Sequence, residues 1–159
     1  MSSQHIERRE DLPPARLVEV SDGIYAYVQA DGSWFLNNAG FIVSDDYIVA
    51  VDTTGTEARA RAFHAALRSV SEHPVQTLIN THAHADHTHG NFMFAPETAI
   101  IAHERCRKEV LASNITFLRQ AFPTADFGDP VTTPPTITFT DRAKVFAGEL
   151  EIQLVHVGP

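Results

Sequence analysis

Four of the nine histidines fall within eight residues of one another, in the stretch Thr81-His82-Ala83-His84-Ala85-Asp86-His87-Thr88-His89-Gly90-Asn91. Imidazole and carboxylate without thiolate make a donor set that favours zinc and permits iron, manganese or cobalt. The apolar run Thr77-Leu78-Ile79-Asn80 comes just before, so His82 and His84 sit where a strand runs out into its loop. Side chains two apart along extended backbone point the same way, which lets these two converge on one cation. Asp86 begins the turn away from the strand and His87 points elsewhere, so those two suit a second cation. Paired ions roughly 3.5–4 Å apart can share a hydroxide and stabilise both attacking and leaving oxygens of a hydrolysis. Ala83 and Ala85 keep bulk out of such a pocket. The plain alternative is a polar, histidine-rich loop that holds nothing.

The elements that position this loop are legible as changes of period. Arg16–Val20, Ile24–Gln29, Trp34–Val43 and Tyr47–Asp52 are rich in aromatic and β-branched residues and are separated by Ser21-Asp22-Gly23, Asp31-Gly32-Ser33 and Ser44-Asp45-Asp46. That pattern predicts a meander of strands joined by turns. The continuously apolar Tyr47-Ile48-Val49-Ala50-Val51 predicts a strand buried on both faces. Thr54-Gly55-Thr56-Glu57 has the Ser/Thr-x-x-Glu form of a capping box, and Phe63, Leu67 and Val70 then recur at helical spacing. His73-Pro74 ends that helix. Strands are expected at Val75–Asn80 and Ala99–Ala102, one helix over Glu104–Phe122, a proline-rich loop at Asp129–Pro135, and strands at Thr136–Phe139, Lys144–Phe146 and Glu151–Val157. This order predicts a mixed α/β or α+β architecture and not a doubly wound parallel sheet.

With 159 residues, 43% hydrophobic and 20% charged, the chain fits one soluble domain spanning 1–159, with residues 1–15 as a flexible tail. A net charge of −8 repels nucleic acid overall. The densest basic stretch, Arg105, Arg107 and Lys108, is flanked by Glu104 and Glu109 and reads as a solvated helix face. One cysteine, Cys106, forbids an intrachain disulfide and a cysteine-rich zinc site. The first sixteen residues lack the apolar core of a signal peptide, and no run of 18 apolar residues occurs, so a cytoplasmic protein without membrane contact is expected.

The His-x-His-x-Asp-His loop after a buried strand resembles the hallmark of the metallo-β-lactamase superfamily. Asn38-Ala39-Gly40-Phe41-Ile42-Val43 followed by Tyr47 to Thr53 is similar to that family's opening hairpin, Ala99 to Glu104 to its next strand-to-helix junction, and Glu151–Pro159 to the strand leading to its third metal motif. The resemblance implies an αββα sandwich of two similar halves, of which this chain carries the first and the beginning of the second. It implies His82, His84, Asp86 and His87 as metal ligands for two zinc ions, with iron or manganese as alternatives, and Asp52 as a buttress of the metal loop. It also implies further histidine ligands after Val157-Gly158-Pro159.

Two departures stand out. His89 occupies a position where such proteins usually carry glycine, and is either a bystander or a polar group at the pocket rim. The loop gives each metal only two ligands, whereas a catalytic zinc takes about three from the protein. His156 is a candidate for opportunistic ligation, and His103, opening a helix, for a packed or outer role. The expectation is a fragment of a longer hydrolase, or a chain whose uncovered apolar sheet is covered by a second copy or by a missing C-terminal segment. For the complete protein the resemblance implies hydrolysis of a lactone, thioester, ester or β-lactam by a metal-bound hydroxide, with Asp86 orienting the nucleophile. Rival readings are a persulfide dioxygenase using a single iron, and a non-catalytic half-domain that needs a partner chain.

Overall fold

The computed structural model describes residues 14–29, 35–123 and 125–158. Among these residues, nine strands and four α-helices run in the order β1 (Arg16–Ser21), β2 (Ile24–Val28), β3 (Ala39–Val43), β4 (Ile48–Val51), α1 (Glu57–Val70), β5 (Val75–Ile79), α2 (Ala85–Thr88), β6 (Ala99–His103), α3 (Glu104–Ala112), α4 (Ile115–Ala121), β7 (Ile137–Phe139), β8 (Arg142–Ala147) and β9 (Leu150–Val155). A 3-10 turn, His89–Met93, continues α2. Strands β1 to β7 form one sheet in chain order, and β8 and β9 form a separate antiparallel pair. The first four strands are antiparallel, and β4 to β7 pair in parallel. This is the α+β architecture with mixed strands flanked by helices that the sequence predicts.

Alternation along the central strands sends apolar groups to both faces. Ile48 and Ala50 of β4 join Leu78, Ile100 and the helix residues Phe63 and Leu67 in one cluster. Val49 of β4 and Ile79 of β5 join Val145 and Ala147 of β8 in another, with Ile152 and Leu154 packed against it. Ile48, Val49 and Ala50 are wholly buried, as expected for a strand covered on both sides. Phe63 sits at the middle of the first cluster, its ring 5.1 Å from Tyr27 and 6.3 Å from both Phe41 and Phe94. A smaller cluster of Ala102, Cys106 and Val110 packs α3 against Ala83 of the histidine-rich loop. Burial pushes the Cys106 thiol up to about 12, so it stays protonated and inert.

Three expectations need correction. The N-cap of α1 is Thr56, whose side chain accepts the Arg59 N–H, and not Thr54. The Glu57 carboxylate, instead of reaching back to close a capping box, accepts from the Arg61 guanidinium and the Asp129 N–H. The expected helix Glu104–Phe122 is two helices. Ser113, at φ −65° and ψ 145°, closes α3, and Asn114 caps α4 by accepting the Thr116 N–H at 2.8 Å. Short polar side chains that bond their own backbone compete with helix continuation, and two in a row suffice here. The strand expected over Trp34–Val43 begins only at Ala39. Phe35 lies at φ +67°, and Asn37 and Asn38 bond across to Gln29 instead of extending the strand. Trp34, the Asp31-Gly32-Ser33 turn, Pro159 and most of the 1–15 tail lie outside the described residues.

Candidate metal centre

Parallel β4 and β5 end side by side, Val51 opposite Ile79. The residues just past the two strands therefore emerge at one edge of the sheet: Asp52 from β4, and Asn80 with Thr81 from β5. The Asp52 N–H donates to Ile79 O at 2.7 Å, and Asp52 adopts a left-handed backbone (φ +56°) that few residues other than glycine, asparagine and aspartate take readily. Asp52 is 5% exposed. Oδ1 accepts the Thr81 N–H at 2.8 Å, while Oδ2 accepts the Thr81 hydroxyl at 2.7 Å and faces His87 Nδ1 at 2.9 Å. The buttress role expected of Asp52 is thus visible as three contacts to the loop.

These contacts fix ring tautomers. A carboxylate only accepts, so His87 Nδ1 carries the proton and Nε2 of the neutral ring keeps its lone pair. The Thr81 hydroxyl has one proton and gives it to Asp52. Its 3.0 Å contact with His82 Nδ1 must then be an acceptance, which leaves His82 Nε2 unprotonated too. Both imidazoles are presented in the form a metal requires, each oriented through its other nitrogen. Sequence reading missed Thr81; its only signal was a hydroxyl beside the first histidine.

The loop brings the four predicted residues together. The His82 ring centroid is 4.6 Å from that of His84 and 4.1 Å from that of His87, and Asp86 Oδ2 is 3.7 Å from His87 Nε2. Among the described residues, no group of three or more His, Cys, Asp or Glu side chains is arranged to hold a metal ion as the side chains stand. The donors thus fit a divalent cation in type and tautomer, while the described geometry sets them beside one another without closing three on a common point.

Small and aromatic residues give the loop its path. A Cβ on Gly55 would come within 2.2 Å of the Phe35 ring and 3.0 Å of Asp86 Cα, and one on Gly90 within 2.8 Å of Thr53 Cβ. His89 packs apart from the other three. Its ring meets Phe35 edge-on at 6.2 Å, and its buried Nδ1 has no hydrogen-bond partner among the described residues. His103 is the N-cap of α3, accepting the Arg105 N–H at Nδ1 and bonding Thr140 O through Nε2 at 2.9 Å. Both nitrogens are engaged, and the ring stacks on His156 at 3.8 Å. His103 is therefore a packed cap, and His156 lies against it.

The histidines divide by electrostatics. His82, His64 and His89 are held below the ordinary value of 6.5, in each case chiefly by burial. For His87 burial also pulls down, but the hydrogen bond to Asp52 and the charges of Asp52 and Asp86 together outweigh it and raise the value. Above 6.5 the three depressed groups are neutral folded and unfolded alike. Below it the unfolded chain takes up protons first, so they cost stability. His87 has the opposite sign: its contribution is full below 6.5 and is lost as pH rises through its folded value. With His87 replaced by glutamine the three depressed groups act alone, and the metal-free chain should unfold at lower temperature at pH 5.5 than at pH 7.5. Thermal melts by circular dichroism across that window check it, and a flat profile would contradict the assignment.

The profile of the metallo-beta-lactamase superfamily matches residues 32–159. This chain belongs to that superfamily. Solved metallo-β-lactamases share its fold: DIM-1 aligns with a TM-score of 0.60 at 15% identity, covering 89% of this chain and 58% of its own. The enzyme from Pontibacter korlensis aligns with a TM-score of 0.60 at 13% identity, covering 87% and 59%. Among curated proteins, the 2,4-dinitroanisole O-demethylase subunit alpha of Nocardioides sp. (strain JS1661) is 29% identical over 147 residues, which are 91% of this chain and 37% of that subunit. The chain thus spans less than two thirds of the length of these relatives. Within the superfamily's fold, the His-x-His-x-Asp-His loop and the Asp52 that underpins it occupy the C-terminal ends of the two central parallel strands. No helix among the described residues is long and apolar enough to cross a membrane.

Proposed function

We propose that the complete protein is a metal-dependent hydrolase of a small carbonyl substrate, a lactone, thioester, ester or β-lactam, with His82, His84, Asp86 and His87 as metal ligands. The observation that supports it is the single buried carboxylate of Asp52, which sets the tautomers of His82 and His87 together. A polar loop with no ligand has no need of two imidazoles whose Nε2 lone pairs are both kept free. Zinc, when bound, supplies Lewis acidity and lowers the pKa of a coordinated water toward neutrality. Asp86, whose carboxylate lies beside His87, orients the attacking water in this reading. The loop offers each ion two of the roughly three protein ligands a catalytic zinc takes, so this chain alone is expected to hold at most one cation, weakly. Exposed Phe146, Leu150, Val155 and Val157 on and after the terminal hairpin are covered by the rest of the protein or by a second copy.

The O-demethylase relative supports a second substrate class, an activated aryl ether cleaved at the same centre. Metal analysis and turnover separate the readings. The full-length protein, loaded with zinc, is assayed against a lactone, a thioester, a β-lactam and 2,4-dinitroanisole, the last for release of the coloured dinitrophenol. We expect turnover of at least one that chelation abolishes, and a loss on the order of 100-fold or more in kcat for Asp86→Asn. Iron in place of zinc, with dioxygen consumed on a persulfide, would replace hydrolysis by oxidation. Full turnover after chelation would end the metal reading.

A further inference from the structure

The carbonyl of His87 accepts three hydrogen bonds, from Thr53 N at 2.9 Å, Thr53 Oγ1 at 3.0 Å and Asn80 Nδ2 at 3.3 Å. Asn80 is in turn locked to Asn91 by a reciprocal amide pair: Asn80 Nδ2 donates to Asn91 Oδ1 at 3.1 Å, and Asn91 Nδ2 donates to Asn80 Oδ1 at 2.9 Å. The second Asn91 donor bond reaches Thr133 O at 2.9 Å. Asn80 is 3% exposed and Asn91 wholly buried. Two asparagines flanking the loop on either side therefore meet beneath it, closing residues 80–91 into a ring whose inner face holds the His87 carbonyl.

We infer that Asn80 and Asn91 are positioning residues for the metal loop, acting as one amide clasp that fixes the His87 backbone while Asp52 fixes its ring. The inference rests on the metal reading only for its consequence, not for its geometry. A buried amide has few ways to satisfy all its donors and acceptors, and this pair satisfies each with the other, with His87 and with Thr133. Removing either side chain leaves buried groups of the other unpaired, so the two should fail together and not additively. Ile79, the residue before Asn80, is already tied to Asp52 through the sheet, so release is confined to the loop.

Asn80→Ala, Asn91→Ala and the double variant of the 159-residue chain are compared with the parent, with Asn91→Asp as a second variant that keeps the shape and loses both donors. Amide hydrogen exchange on metal-free protein and zinc affinity by chelator competition are the readouts. We expect exchange of the 84–90 amides to speed by about tenfold or more while those of β4 and α1 hold. We expect zinc affinity to fall by roughly 10- to 100-fold in each single variant, with little added by the double. Unchanged loop exchange in a folded Asn91→Asp chain would overturn the clasp, whatever the zinc result. If the parent chain binds no zinc while loop exchange responds as expected, the clasp stands, and absence of zinc binding by the full-length protein as well would end the metal reading.

Discussion

Asp52→Asn is expected to lower zinc affinity by roughly 10- to 100-fold while leaving the fold nearly as stable as the parent. Asparagine keeps the shape of aspartate and tolerates the left-handed backbone at this position. With its oxygen accepting the Thr81 N–H, its amide nitrogen faces Thr81 Oγ1 and His87 Nδ1, where Oδ2 stands now. A donor there drives the His87 proton onto Nε2. It also frees the Thr81 hydroxyl to donate to His82 Nδ1, which moves that proton onto Nε2 as well. One atom's exchange thus withdraws two metal donors. Asp52→Ala instead removes the acceptor of half-buried His87 and of exposed Thr81, whose groups water can reach, and costs about 1–2 kcal/mol on top of the affinity loss. Chelator competition and nitrogen-15 shifts of the imidazoles measure both halves. Parental zinc affinity in a folded Asp52→Asn chain would show that the tautomers are not set here.

The second large effect lies in the core. Phe63→Ala should destabilise by about 3–5 kcal/mol, because its ring is wholly buried among Tyr27, Phe41 and Phe94 and its loss leaves a cavity there. Against the roughly 5–15 kcal/mol typical of a domain, that is a large share, and the melting temperature should drop by roughly 10 °C. Phe146→Ala, at a half-exposed phenylalanine on β8, should change stability by no more than about 0.5 kcal/mol. Urea unfolding of the two variants beside the parent gives the contrast. Equal losses would mean that the terminal hairpin, and not the cluster around α1, carries the stability.

The part of this molecule that was legible in the sequence is the part governed by period and by donor chemistry. Ile48 to Val51 announced a two-faced strand because no polar residue interrupts it, and the spacing of His82, His84 and His87 announced imidazoles close together, as their rings are. Asp52 could be placed by its position after the strand. What escaped is what depends on partners distant in sequence. Thr54 and Thr56 look alike as caps, and the choice falls to Thr56 because Arg61 and Asp129 take the Glu57 carboxylate. Asn114 breaks the expected long helix through a bond to its own neighbour, a choice that intrinsic propensity leaves close to balance. Asn80 and Asn91 carry no signal singly; their meaning lies in the approach of two loop ends that only the folded sheet brings about.

The seven strands of the main sheet stand side by side in the order in which they occur in the chain. A chain synthesised from its N-terminus at about 5–20 residues per second can therefore lay each strand against one already in place, with no strand waiting for a later partner to be threaded between earlier ones. Such sequential neighbours keep the loops to be closed short, which favours rapid assembly. On this order the Asp52 carboxylate is waiting at the end of β4 before Thr81 and His87 have left the ribosome, and Asn91 follows Asn80 within seconds. The histidine loop is therefore set to take its final shape during translation, before the hairpin of β8 and β9 that will cover the other face of the sheet has been made.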